Sequence, residues 1–222
     1  MLKKLFHLFL SATFVTLLFL PDTLFAGRLG GLNENIGGQM LSAAAGVEYS
    51  TRDVKSKTNK EEVNSRRFVV KTTYGLSNDI NIFATLGFAD SQDINNYTGA
   101  LGTLFGGGLK YLVFSNPDSA NKVSINANIE TFKSRDSGRT ATTLEYDVAV
   151  IVSNNAGNFT PFGGIKFSDV SIDFGGSTKY EADDNIGLFG GVDYFVNPNV
   201  YFTGEVHTFD ENSIFLGVGY NF

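Results

Sequence analysis

The chain has 222 residues, no cysteine, and 23 acidic against 17 basic residues, a net charge of −6. The missing thiol excludes disulfides, thiolate chemistry and a lipid-bearing amino-terminal cysteine, and the acidic balance argues against nucleic acid as a partner. The 25 glycines and 21 phenylalanines fit tight turns and crowded interiors on one side and lipid or core contact on the other.

Lys3 and Lys4 open the chain, and residues 5–20 are apolar apart from His7, Ser11, Thr13 and Thr16. Pro21 ends the run, and Leu24-Phe25-Ala26 precedes Gly27. A positive start, an apolar centre and a small-residue site predict a secretory signal peptide over residues 1–26, cleaved after Ala26. A retained anchor is the alternative, although the run is short for a spanning helix, which needs about 20 apolar residues. Removing Lys3, Lys4 and Asp22 leaves 15 basic and 22 acidic residues, a net charge of −7. Glycine-rich residues 27–37 read as a flexible leading segment, and residues 38–222 as one strand-forming domain. No apolar run after residue 26 is long enough to span a bilayer as a helix, so any insertion must use strands.

Alternation of apolar and polar residues predicts ten strands of about 10 residues each, the length that crosses a bilayer at a tilt. Strand one, 39–50, presents Leu41, Ala43, Ala45, Val47 and Tyr49 on its apolar face. Strand two, 66–76, presents Phe68, Val70, Thr72, Tyr74 and Leu76. Strand three, 80–90, presents Ile80, Ile82, Ala84, Leu86 and Phe88. Strand four, 104–114, presents Phe105, Gly107, Leu109, Tyr111 and Val113. Strand five, 122–133, presents Val123, Ile125, Ala127, Ile129 and Thr131. Strand six, 142–153, presents Leu144, Tyr146, Val148, Val150 and Val152. Strand seven, 159–170, presents Phe159, Pro161, Gly163, Ile165 and Phe167. Strand eight, 185–196, presents Ile186, Leu188, Gly190, Val192, Tyr194 and Val196. Strand nine, 200–209, presents Val200, Phe202, Gly204, Val206 and Thr208. No charge falls on any of these faces, which is what lipid demands.

Connections alternate in length. Residues 77–79, 115–121, 154–158 and 197–199 read as short turns; residues 51–65, 91–103, 134–141 and 171–184 read as longer loops. Asp210-Glu211-Asn212 reads as a short hairpin on the long-loop side. The last segment, 213–222, places Ile214, Leu216, Val218, Tyr220 and Phe222 on one face and Ser213, Phe215, Gly217, Gly219 and Asn221 on the other. An alternating strand ending in Phe222 resembles the closing strand of bacterial outer-membrane β-barrels. That resemblance implies an all-β, closed, antiparallel, up-and-down transmembrane barrel of about ten strands. It also implies outer-membrane location with both termini periplasmic, and contact with outer-membrane lipid and lipopolysaccharide. Val218, Tyr220 and Phe222 then form the signal for the outer-membrane assembly machinery. A soluble lipocalin-type barrel is the rival fold; it would bury the apolar face and expose the charges.

The opposite faces carry Glu48, Lys71, Lys110, Glu130, Glu145, Asp147, Lys166, Asp193, Glu205 and His207. In a barrel these fall in the lumen, where charges must find partners. Pairing Val152 with Phe159 would set Glu145 across from Lys166. The expected function is a non-enzymatic structural or porin-like barrel with a narrow polar lumen, with small cation-preferring conduction as the alternative. A hydrolase is the lesser alternative. His207 has Glu205 two residues away and Ser213 past the hairpin, but reads His207-Thr208-Phe209 where outer-membrane deacylases have His-x-Ser. Outer-membrane proteases of this architecture are longer, with paired acids and an Asp–His pair above the membrane. Asp173, Glu181, Asp183 and Asp184 lack the spacing of a calcium loop. No catalytic residue, metal ligand or cofactor site is assigned, and a monomer is expected.

Overall fold

A computed structural model describes residues 37–94, 96–116, 120–175 and 179–222. The signal-peptide reading of residues 1–26 and nearly all of the leading segment lie outside them. The described residues form β1 (Leu41–Lys55), β2 (Lys60–Gly75), β3 (Ile80–Ala89), β4 (Gln92–Ile94), β5 (Tyr97–Thr98), β6 (Gly102–Asn116), β7 (Asn121–Asp136), β8 (Arg139–Asn154), β9 (Phe159–Asp173), β10 (Lys179–Ala182), β11 (Ile186–Phe195), β12 (Val200–Thr208) and β13 (Asn212–Asn221). Ten of them run in the order β1-β2-β3-β6-β7-β8-β9-β11-β12-β13, every neighbour antiparallel. β13 pairs back onto β1 from Ser42↔Asn221 to Thr51↔Asn212, which closes the sheet and leaves no edge. The fold is therefore a closed, up-and-down, antiparallel ten-stranded barrel.

The apolar faces point outward and are exposed, including Val70, Leu86, Phe105, Val148, Ile165, Phe202 and Leu216. A continuous apolar outer surface on a closed barrel is the signature of a lipid-facing wall, and a soluble barrel would show the reverse. Val47 is outward by alternation yet covered, lying in register between Phe68 and Leu216.

Toward one end the pattern inverts within single strands. In β1 the outward series Leu41, Ala43, Ala45, Val47, Tyr49 continues as Thr51, Asp53, Lys55. The inward series Ser42, Glu48, Ser50, Arg52 ends on fully buried Val54. In β9 outward Ile165 and Phe167 give way to Asp169 and Asp173, while inward Lys166 and Ser168 give way to Val170 and Ile172. The strands thus leave lipid and enter water without ending. This corrects the loops read at 51–65, 91–103, 134–141 and 171–184: most of residues 51–65 belongs to β1 and β2, and residues 136 and 139 are joined by a two-residue turn. The switch in polarity marks the membrane surface rather than the end of a strand.

Beyond that surface the sheet closes a second time. β10 pairs with β9 at Tyr180↔Ile172 and with β1 at Val54↔Ala182, bypassing the shorter β11, β12 and β13. Inside this upper ring Val54, Val63, Ile94, Tyr97, Ala141, Val170, Ile172, Tyr180 and Ala182 form one buried apolar core. Phe174 packs edge-on against Tyr97, ring centroids 5.0 Å apart. Lower down, the buried ring of Phe215 occupies the space that side chains on Gly46 and Gly217 would otherwise take. Glycine beside aromatic rings lets a narrow lumen be filled by rings.

Candidate functional site

The charged lumen is the candidate site, and its position follows from strand alternation: each inward polar residue is fixed by the lipid-facing residues beside it. Its middle layer centres on Arg67 of β2, only 1% exposed. Arg67 Nε lies 3.1 Å from Glu48 Oε2 of β1, Nη1 3.3 Å from Glu130 Oε2 of β7, and Nη2 2.6 Å from Glu145 Oε1 of β8. Its guanidinium carbon stands 5.2 Å from the centroid of Phe132. Glu130 and Glu145 are direct register partners across β7 and β8. Two like charges so placed repel, and the fork of Arg67 offsets this by bonding both.

A second layer lies toward the end where β10 closes the sheet. Arg52 Nη2 reaches Ser168 Oγ at 2.7 Å, Asp210 Oδ2 at 3.3 Å and Glu211 Oε2 at 3.0 Å. Lys166 Nζ lies 2.9 Å from Asp210 Oδ2 and also bonds Glu211. His207 Nε2 lies 2.6 Å from Glu205 Oε1, Nδ1 lies 3.4 Å from Glu211 Oε1, and the ring stacks on Phe189. The turn between β12 and β13, residues 209–211, therefore folds its two acids into the lumen. Phe209 takes a positive φ of 80° and points outward. Gly187 on β11 makes room, because a side chain there would overlap the Asp210 carboxyl.

The third layer, nearer the opposite end, holds Lys71, Lys110, Asp147 and Asp193. Lys71 Nζ sits 3.9 Å from the centroid of Phe83, and its charge interacts with Lys110, Glu205, Glu130 and Asp193. Asp147 and Asp193 are buried, Lys110 half-buried.

The ten charged positions expected in the lumen lie on its inner face, but not in the pairs expected. Glu145 faces Val170 and Lys166 faces Ala149, because Val152 pairs with Gly163 rather than Phe159. That slip sends Lys166 to the β12–β13 turn and leaves Glu145 to Arg67. Arg52, Arg67, Asp210 and Glu211 were not anticipated. Alternation alone places Arg67 inward, one residue before outward Phe68; Arg52 falls in the segment expected as the 51–65 loop, and the two acids in the expected 210–212 hairpin. Between the Arg67 and Arg52 layers lies a cavity of about 10 Å³ lined by Arg52, Ser65, Arg67, Ser91, Glu145 and Glu211, room for about one water.

Chemically this is a filled interior. His207 holds Glu205 through Nε2 and turns Nδ1 toward Glu211, and buried Ser213 is its register partner across β12 and β13. Among the described residues no group of acids and histidines is arranged to hold a metal ion.

Where β10 meets β1, Lys60 bonds Asp183 at 2.7 Å and Asp53 at 2.9 Å, and Lys55 bonds Asp183 at 3.2 Å. These bonds, that from Lys60 foremost, hold the Asp183 carboxyl below its usual 3.8. The same bond to Asp183 raises Lys60 above its usual 10.5. A depressed acid stabilises above its unfolded pKa and loses that contribution as pH falls through the folded one; a raised lysine stabilises below its unfolded pKa. The β1–β10 junction is therefore expected to hold from neutral pH to above 10 and to loosen below about pH 4. Hydrogen-exchange protection of the Asp183 amide, which donates to the Asp53 carbonyl, checks this. Protection unchanged down to pH 3 would contradict it.

No protein-family model matches the sequence, and no curated protein matches it either. Among solved structures the chain is similar to the outer membrane protease OmpT from Escherichia coli, at 13% identity over 86% of this chain and 99% of that chain, TM-score 0.47. It is similar to the translocator domain of the autotransporter NalP from Neisseria meningitidis, at 13% identity over 84% and 90%, TM-score 0.46. A third is the outer membrane protein OprG from Pseudomonas aeruginosa, at 10% identity over 86% and 99%, TM-score 0.38. At these identities and scores, function must be read from this chain's own residues.

Proposed function

We propose that this chain is an integral barrel of the bacterial outer membrane whose lumen is closed by its own side chains. It serves as a structural or surface-presenting element rather than as an enzyme or an open pore. The observation that carries the reading is the inversion of polarity along single strands: apolar outside and charged inside at membrane depth, charged outside and apolar inside beyond it. The apolar wall suits lipid, the ion-paired layers fill the lumen, and the upper core caps it. The strand extensions then stand on the cell surface, with both termini in the periplasm. Val218, Tyr220 and Phe222 serve as the assembly signal, and the barrel works as a monomer among lipid and lipopolysaccharide. The second reading, restricted cation passage, is favoured by one feature: acids exceed cations in the lumen, with Asp210 and Glu211 adding to the excess.

Fractionation of cells expressing the full chain tests the proposal. Recovery in the outer-membrane fraction is expected, with a lower yield and periplasmic precursor when Phe222 is deleted. Recovery of the intact chain in the soluble periplasm would overturn it.

A further inference from the structure

The cations of the outer rim are mostly neutralised. Lys55 and Lys60 pair with Asp183, Arg66 with Asp90, Arg139 with Asp136 and Lys179 with Glu181. Among the described residues the rim cations without an acid partner are Lys57, at the tip of the first hairpin, and Lys133 and Arg135, neighbours on the outer face of β7. Lys133 is the first outward residue after Thr131. Thr131 lies in register with Phe105 of β6 and Leu144 of β8, the upper edge of the apolar wall. At about 3.3 Å per residue, Lys133 and Arg135 stand roughly 7 and 13 Å along the strand beyond Thr131, at headgroup depth. Thr142 and Thr140 face them on β8.

The acid adjacent to Arg135 in sequence is bonded elsewhere. Asp136 accepts hydrogen bonds from Ser137 Oγ at 2.9 Å, the Thr98 amide at 3.3 Å and Arg139 at 3.4 Å. Those donors, Ser137 foremost, hold its carboxyl below the usual carboxylate range. The Arg135 backbone is anchored by a bridge to Ala100. The β9–β10 sector next to this face is instead acidic, with Asp169, Asp173 and Glu181. An acidic protein thus keeps two unpaired cations side by side directly above its lipid-facing wall.

We propose that Lys133 and Arg135 form a docking surface for the phosphorylated headgroup of an acylated glycolipid of the outer leaflet, its chains lying on Phe105, Ile129 and Leu144. The proposal rests on the outer-membrane reading above. Charge-assisted bonds from lysine and arginine suit phosphate oxygens. The continuity of the cations with exposed Phe105, Ile129 and Leu144 selects a lipid over a soluble anion, since one molecule can satisfy both surfaces.

The test titrates the purified full chain in neutral detergent with diphosphoryl lipid A and with the same lipid stripped of phosphate, read by native mass spectrometry. The phosphorylated lipid should bind, and the stripped lipid should bind at least about 10-fold more weakly. Lys133→Gln with Arg135→Gln should weaken binding on the order of 20-fold, from the contribution of each cation near an anionic surface. Lys55→Gln with Lys179→Gln, the same loss of charge at paired sites, should change it by less than about twofold. No binding by the unaltered chain, equal binding by the first double variant, or equal loss in the second would overturn the proposal. Fractionation of the same cells separates the two readings: a chain recovered in the outer membrane that ignores lipid A rejects the docking surface alone, whereas recovery in the soluble periplasm rejects both.

Discussion

Replacing Arg67 with alanine is expected to destabilise the barrel by about 3–5 kcal/mol, the range for stripping the partner from a buried charge. The side chain is almost fully buried and meets Glu48, Glu130 and Glu145 at once. Its loss would leave adjacent carboxylates in a closed space, two of them register partners. Unfolding in urea from detergent or vesicles, followed by far-ultraviolet circular dichroism because the chain has no tryptophan, measures the cost. Adding Glu130→Gln and Glu145→Gln to Arg67→Ala should recover part of the loss, because the repulsion disappears with the charges. A single variant as stable as the parent, or a triple variant worse than the single, would show that the three acids do not depend on Arg67.

Arginine at Val148 is expected to cost about 2–4 kcal/mol, the penalty for a charge on the lipid face near mid-bilayer. Val148 is 48% exposed on the outer wall and lies in register between Ala127 and Phe167. Neighbouring Asp147 points into the lumen and is buried. Asp147→Asn keeps the shape and much of the hydrogen bonding, so it should be the milder change. Insertion yield and urea stability of the two variants are the readout. Normal folding of Val148→Arg together with failure of Asp147→Asn would mean that the wall is inside out.

The same two residues mark what was legible beforehand. Alternation around Val148 assigned both faces of β8 without any long-range information, because lipid tolerates no charge and the period of a strand is two. The closing strand and the ten-strand count followed from the same rule. Strand ends were not legible: Thr51, Asp53 and Lys55 read as loop because a polar outer face was taken for the end of β1, when it is the point where β1 meets water. Nor was the β8–β9 register, which depends on how far each strand runs before it turns. The inward fold of Asp210 and Glu211 depends on Arg52, Lys166 and Gly187, which are 23 or more positions away in sequence, so local patterning carries no trace of it.

In the proposed function the barrel crosses the membrane yet is closed by Arg67, the Asp210–Glu211 turn and the apolar core above them. Reconstitution of the purified full chain into planar bilayers, with current recorded under applied voltage, decides whether the lumen is shut. The expected result is no steady conductance, or at most small cation-selective events, given the excess of lumen acids and the cation preference that such an excess confers. Large, stable or anion-selective steps would contradict the filled lumen and the charge assignment together.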